Sequence, residues 1–161
     1  MTGCYDQLIK NACNEYLPDY DHRLLKAQCF AESSFNHDAV SPVGAMGLMQ
    51  IMPGTWDDWK LPRYDNPYDP EQSLMTGARY MAWLISEWSW PRPELDRTCL
   101  ALAAYNAGLK QVLDAQTLSG GSVLYSDIIH HLPDVTGSHA QETMDYVRKI
   151  LMFYCGEVTG L

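Results

Sequence analysis

Apolar positions recur at three and four residues almost from end to end of the chain, the spacing of helices that bury one face. Leu8, Ile9, Ala12, Cys13 and Tyr16 mark a first helix. Asp21 is placed to cap a second, which carries Leu24, Leu25, Gln28, Cys29 and Glu32 on one side. Residues 36–54 read as bend and loop, closing on a short GLMQIM turn. Thr55, with Asp58 three residues later, has the pattern of a capped start for a short helix bearing Trp56 and Trp59. Two prolines in residues 61–69 mark a connecting loop. Asp69 and Pro70 form an N-cap and first-turn pair, and behind them Leu74, Gly77, Ala78, Met81, Leu84, Ile85 and Trp88 make the clearest periodic run. The segment SWPRP, residues 89–93, breaks it. A helix from about Glu94 to Ala107 follows, with Gly108 placed to end it. Short helices are predicted around Val112 and Ile128. A last helix starts near Ser138 with Gln141 as capping partner, carries Val147, Ile150, Leu151 and Tyr154, and stops at Gly156. No strong period-two run occurs, so any sheet is very small. The expected fold is mainly α, in a single domain over residues 1–161.

Composition narrows what such a domain could do. With 161 residues, 47% of them hydrophobic, the chain can bury one core. It has no repeat and no low-complexity tract, and its apolar stretches fall far short of a membrane span. The N-terminus, MTGCYDQLIKNAC, lacks the basic start and long apolar run of a signal peptide; if Met1 is the true start, general secretion does not export the protein. The net charge of -9 is spread evenly and no basic stripe exists to neutralise phosphates, which argues against nucleic acid as a partner. Nor does it give any attraction to an anionic surface. The five cysteines, Cys4, Cys13, Cys29, Cys99 and Cys155, are odd in number and match no zinc spacing. They read as reduced thiols, with Cys29 and Cys99 as small core residues and a Cys4–Cys13 bridge as the exception to consider. His130 and His131 read as a helix end near solvent rather than a metal site. No metal and no cofactor is expected.

The segment AESSFNHDAVSPVGAMGLMQIMPGT, residues 31–55, holds the most informative chemistry. Glu32 lies four residues after Gln28 and eight after Leu24, on the stripe that faces the core. It also stands near the C-terminal end of its helix. Burial and the negative helix end both oppose ionisation, which suits a carboxyl to general-acid work. By position alone, a glutamate pointing to water from a frayed helix end is the more available reading. Gly44 and Gly47 allow a tight bend that returns Gln50 toward Glu32, and Gly77 lets two helices approach closely.

The surrounding blocks decide between these readings. ESSF at 32–35, Ser41 and GAMGLMQIMPGT at 44–55 are followed in order by DPEQSLMTGARYMAWLI at 69–85, ALAAYNAG at 101–108, LP at 132–133 and ETMDYV at 142–147. Together they resemble the catalytic domain of the soluble lytic transglycosylase-like family, related to goose-type lysozymes, over roughly residues 20–155. The resemblance implies a lysozyme-like fold with a central substrate cleft and Glu32 as catalytic acid/base. It implies Ser41 hydrogen-bonding near the glutamate or substrate, and Gln50 and Met52 lining sugar subsites. Tyr105 and Asn106 would stand opposite, the asparagine binding an N-acetyl group or a sugar hydroxyl, and Tyr146 on the far wall. The plainer roles are a loop hydrogen bond for Ser41, core packing for Met52 and helix packing for Tyr105. Two departures fall at loop positions: His37 where the family usually has proline, and Leu109-Lys110-Gln111 where it often has a Gly/Pro-rich turn.

A hydrolysing glycosidase usually needs two carboxylates. The other candidates are Asp38, Asp57, Asp58, Asp65 and Asp69; Asp58 and Asp69 read as helix caps, and none is spaced to stand across from Glu32. That fits a reaction needing one. In the mechanism the resemblance implies, Glu32 protonates the oxygen between N-acetylmuramic acid and N-acetylglucosamine while the 2-acetamido group stabilises C1. The ionised Glu32 then takes the proton of the C6 hydroxyl, whose oxygen closes on C1 as a 1,6-anhydro product. Trp56 and Trp59 are candidates for stacking on sugars, against the plainer reading of core packing. Two further readings stay open: a goose-type hydrolysing lysozyme, and a wall-binding module without activity. The expected partner is peptidoglycan glycan strands and the expected place of action is the bacterial cell wall. Without a leader, the enzyme would be delivered by a phage particle, a lysis system or a secretion apparatus, or as a domain of a longer protein.

Overall fold

The computed structural model describes residues 5–159 of the chain. They form α1 (Asp6–Tyr16), α2 (His22–Ser33), α3 (Pro53–Trp59), α4 (Pro70–Glu87), α5 (Glu94–Ala107), α6 (Leu109–Leu118), α7 (Tyr125–Ile129), α8 (Leu132–Thr136) and α9 (His139–Thr159). Among the described residues, β structure is confined to two isolated antiparallel bridges, Val40 with Met46 and Met46 with Ile51. None of these helices is long and apolar enough to cross a membrane.

The chain divides into two compact units, one running to Ala82 and resuming at Ile150, the other Trp83–Lys149. In the first, α1 packs on α2, and Ile9, Leu25, Leu48, Met49, Ile51, Leu74 and Met81 are almost fully buried. In the second, α5 packs against α6 and α7, and α6 against α8. Thr98–Ala104 of α5 are buried without a break, the signature of a helix covered on every side. Leu84, Trp88, Leu100, Leu102, Val112, Ile128 and Leu132 complete that core.

The caps show where local chemistry sets the elements. The Asp21 side chain accepts from the Arg23 backbone N–H at 2.9 Å and starts α2; Asp69 accepts from Gln72 N–H at 2.9 Å and starts α4. Gly108, at φ 91, ends α5. Three expectations need correction. α3 starts at Pro53 with Met52 as its N-cap, so Thr55 and Asp58 lie inside it and neither caps it: proline's fixed φ already suits the first turn. α9 passes through Gly156 to Thr159, and the Gln141 amide reaches forward to Asp145 at 3.0 Å rather than back to a cap. Gly77 does not bring two helices together: a Cβ there would stand 2.7 Å from Met49 Cγ, so the glycine makes room for a side chain of the loop. α8 has no counterpart among the helices predicted from the sequence; its Pro133 sits in the first turn, where proline is tolerated.

Cys29 and Cys99 are buried thiols; burial pushes Cys29 up to about 12, with the nearby Glu32 charge adding to it, and Cys99 up to about 11. The Cys4–Cys13 bridge lies outside the described residues, since Cys4 does. His130 Nδ1 sits 2.9 Å from Ser126 O, and His131 stands 3.6 Å from Asp134.

Candidate active site

Glu32 occupies the last turn of α2 and is half-buried. Two residues later the chain enters left-handed conformation at Ser34 (φ 52), and it stays there at Phe35 (φ 64). Such φ values cost a side-chain-bearing residue about 1 kcal/mol or more, so packing must hold them. The Phe35 ring lies 5.4 Å from that of Phe30, which meets Phe153 edge-on at 4.5 Å. This aromatic cluster fixes the angle at which the loop leaves the glutamate.

The loop is built from its own short hydrogen bonds. Ser41 N–H donates to Ala45 O at 3.0 Å, and Ala45 N–H donates back to Ser41 Oγ at 2.9 Å. Gly47 N–H donates to Ala39 O at 2.9 Å. Gln50, at φ 45, folds its amide over the loop, where Nε2 donates to Ala39 O at 3.1 Å and Gly47 O at 3.0 Å. Outside contacts then pin the loop to both flanking helices. The Cys29 thiol of α2 donates to Leu48 O at 3.8 Å, and the buried Ser73 hydroxyl of α4 accepts from Met49 N–H at 3.2 Å. Gly47 is wedged so closely that a Cβ would stand 2.2 Å from Pro67 O.

The residues proposed for the substrate therefore take different places. Ser41 and Gln50 are both committed in part to loop structure. Met52 is exposed at 43%, on the solvent side rather than in the core. Trp56 is only 5% exposed and belongs to the core, which removes it as a sugar platform. Trp59 packs its ring 5.5 Å from that of Tyr80, with the Arg79 guanidinium 5.8 Å over it and bonded to Trp59 O at 2.9 Å. The second unit carries Tyr105, half-buried, and Asn106, exposed, in the last turn of α5, and Tyr146, buried, on α9. Asn106 opens onto a cavity of about 420 Å³ within that unit, lined also by Ala107, Gln111, Val135, His139, Glu142 and Thr143. Sequence reasoning passed over Thr143 and Ser73. Both are hydroxyls on otherwise apolar helix faces, the one signal that could have found them.

Of the aspartates considered as a second carboxylate, Asp69 caps α4, Asp57 pairs with Lys60 at 2.9 Å and Asp38 pairs with His37 at 3.2 Å. Asp58 and Asp65 are exposed.

Comparison with known proteins matches this arrangement to one family. The family model of the transglycosylase SLT domain matches residues 9–123. Membrane-bound lytic murein transglycosylase F of Alteromonas mediterranea is 34% identical over 160 residues, which take in 90% of this chain and 34% of that protein. Its namesake in Actinobacillus succinogenes is 39% identical over 105 residues, 65% of this chain and 21% of that one. The crystal structure of the 70 kDa soluble lytic transglycosylase of Escherichia coli superposes with TM-score 0.72 at 28% identity, over 97% of this chain and 24% of that one. The complex of the 70 kDa soluble lytic transglycosylase with bulgecin A gives 0.73 at 29% identity, over 98% and 25%. The chain thus spans about a third or less of the length of these relatives. The likeness bears out the mainly α, lysozyme-like fold. Matched by the family model from α1 to beyond α6, the chain belongs to the transglycosylase SLT domain family.

Proposed function

We propose that the chain is a peptidoglycan lytic transglycosylase that cleaves between N-acetylmuramic acid and N-acetylglucosamine, with Glu32 as its single acid/base. The observation that carries this reading is the setting of Glu32. It ends α2 half-buried, where two left-handed residues turn the chain into a loop pinned on α2 and α4. A carboxyl carried on so fixed a backbone can serve first as acid and then as base. Family membership supplies the substrate class, since the relatives are named as murein transglycosylases.

In the first step Glu32 gives its proton to the glycosidic oxygen, and the neighbouring acetamido oxygen supports the developing charge at C1. In the second, the carboxylate takes the C6 hydroxyl proton as that oxygen bonds C1. The proton balance closes on one residue, which agrees with the other engagements of Asp38, Asp57 and Asp69. Ser41, Gln50, Met52, Tyr105, Asn106 and Tyr146 are proposed to contact the sugars. Because Gln50 spends Nε2 on the loop, its carbonyl oxygen is the group left to receive a sugar hydroxyl. The enzyme is proposed to act at the bacterial cell wall, as part of a larger phage or secretion assembly.

Glu32→Gln tests the reading. It preserves shape and removes the proton cycle, so release of soluble fragments from purified peptidoglycan should fall at least about 100-fold, the weight of a general acid/base. Thermal unfolding should be nearly unchanged. Release within a few-fold of wild type would sink the assignment.

A further inference from the structure

We propose that Ser73 and Cys29 are positioning residues that clamp one peptide group, the one joining Leu48 to Met49, and so set where Gln50 stands relative to Glu32. The inference rests on the transglycosylase reading, in which Gln50 meets the sugar and Glu32 moves the proton, and deepens it by naming what holds the two in register.

The clamp grips both polar ends of the same peptide. The Cys29 thiol donates to Leu48 O at 3.8 Å, and Met49 N–H donates to Ser73 Oγ at 3.2 Å. A peptide group is planar, so holding its C=O from one side and its N–H from the other fixes the tilt of the whole plane. The holders come from different helices, Cys29 from α2 and Ser73 from α4. Cys29 stands one turn before Glu32; burial raises its thiol pKa, and the nearby Glu32 charge adds to the rise. Cys29, Leu48, Met49 and Ser73 are all fully buried, so water does not replace a lost partner. A peptide released at one end must turn to satisfy its orphaned group.

The residue after Met49 makes that tilt matter. Gln50 is left-handed at φ 45, a conformation that a side chain disfavours. If the preceding peptide can turn, Gln50 relaxes to negative φ and carries its carboxamide away from the Ala39 and Gly47 carbonyls. The surroundings are shaped to the clamp. A Cβ on Gly47 would stand 3.1 Å from Ser73 Oγ, and one on Gly77 would stand 2.7 Å from Met49 Cγ. Three residues beyond Ser73 on the same helix, the buried Thr76 hydroxyl has no hydrogen-bond partner among the described residues, which makes it the natural control.

The test measures initial rates of the intact chain on soluble, uncrosslinked glycan strands, with each variant shown by circular dichroism to be folded at the assay temperature. Ser73→Ala should lower kcat about 10-fold or more with KM within about 3-fold, because small misplacements cost rate before they cost binding. Cys29→Ala should lower kcat about 3-fold, the thiol being the weaker hydrogen-bonding group. In a Gln50→Ala background, itself slow, Ser73→Ala should change kcat less than about 2-fold, since Ser73 acts through Gln50. Thr76→Ala should leave kcat within about 2-fold of wild type. Four results overturn the inference: wild-type kcat in both Ser73→Ala and Cys29→Ala, a change in KM alone, multiplying losses with Gln50→Ala, or an equal loss of rate in Thr76→Ala. Hydrolytic products from a wild type whose Ser73→Ala variant still loses rate would overturn the transglycosylase reading alone, and a wild type that cleaves no strand would overturn both.

Discussion

Single residues carry the geometry around Glu32, and two glycines separate backbone conformation from space. A Cβ added at Gly44 (φ 89) would meet nothing within 4 Å, whereas one added at Gly47 (φ 70) would stand 2.2 Å from Pro67 O. Gly44→Ala should therefore cost only the left-handed penalty, about 1 kcal/mol. Gly47→Ala adds displacement of backbone and should cost about 3 kcal/mol or more. Urea unfolding of the two variants measures the difference, and equal losses would contradict the close approach. Both glycines are legible in the sequence as bend residues. Which one is crowded is not, because the Pro67 carbonyl comes from a separate loop beyond α3. Ser34 and Phe35 are illegible for a related reason: neither residue type prefers left-handed backbone, and only the ring cluster with Phe30 explains it.

Among the elements, α2 positions the candidate acid, and Asp21 secures its far end. The Arg23 guanidinium hydrogen bonds hold the Asp21 carboxyl down to about 2 from 3.8; burial opposes this, and the Arg23 N–H and Tyr154 hydroxyl help. A carboxyl with a depressed folded pKa stabilises the fold above its unfolded value and loses that contribution as pH falls through the folded one. Stability should drop as pH falls from 3.8 toward about 2, and Asp21→Asn, which keeps a capping oxygen without the charge, should flatten that part of the profile. An unchanged slope in pH-dependent urea unfolding would refute the role. Caps of this kind are readable because Asp21, Asp69 and Gly108 act on backbone within three or four residues. Thr55, Asp58 and Gly156 carry the same local signals and lose to context: Pro53 starts α3 earlier, and α9 continues through its glycine.

At the scale of the molecule, the ordered blocks from ESSF to ETMDYV are enough to place the chain in its family, because catalytic geometry constrains residues that plain packing leaves free. The division of labour inside the candidate site is not readable in the same way. Trp56 reads in the sequence as either a sugar platform or core and is core, whereas Thr143 interrupts an apolar helix face and is a buried partner of Asn106. A helical period tells which face is inside, not which neighbour a polar group will meet there.

The proposed chemistry differs from hydrolysis in one atom, so the most direct measurement follows water. Purified peptidoglycan digested by the wild-type chain in ¹⁸O-labelled water should release muropeptides ending in 1,6-anhydromuramic acid, about 18 Da lighter than their reducing counterparts and free of label, because the C6 oxygen closes the ring. Reducing-end muropeptides carrying ¹⁸O at C1 would contradict the single-glutamate mechanism and require a second group to activate water.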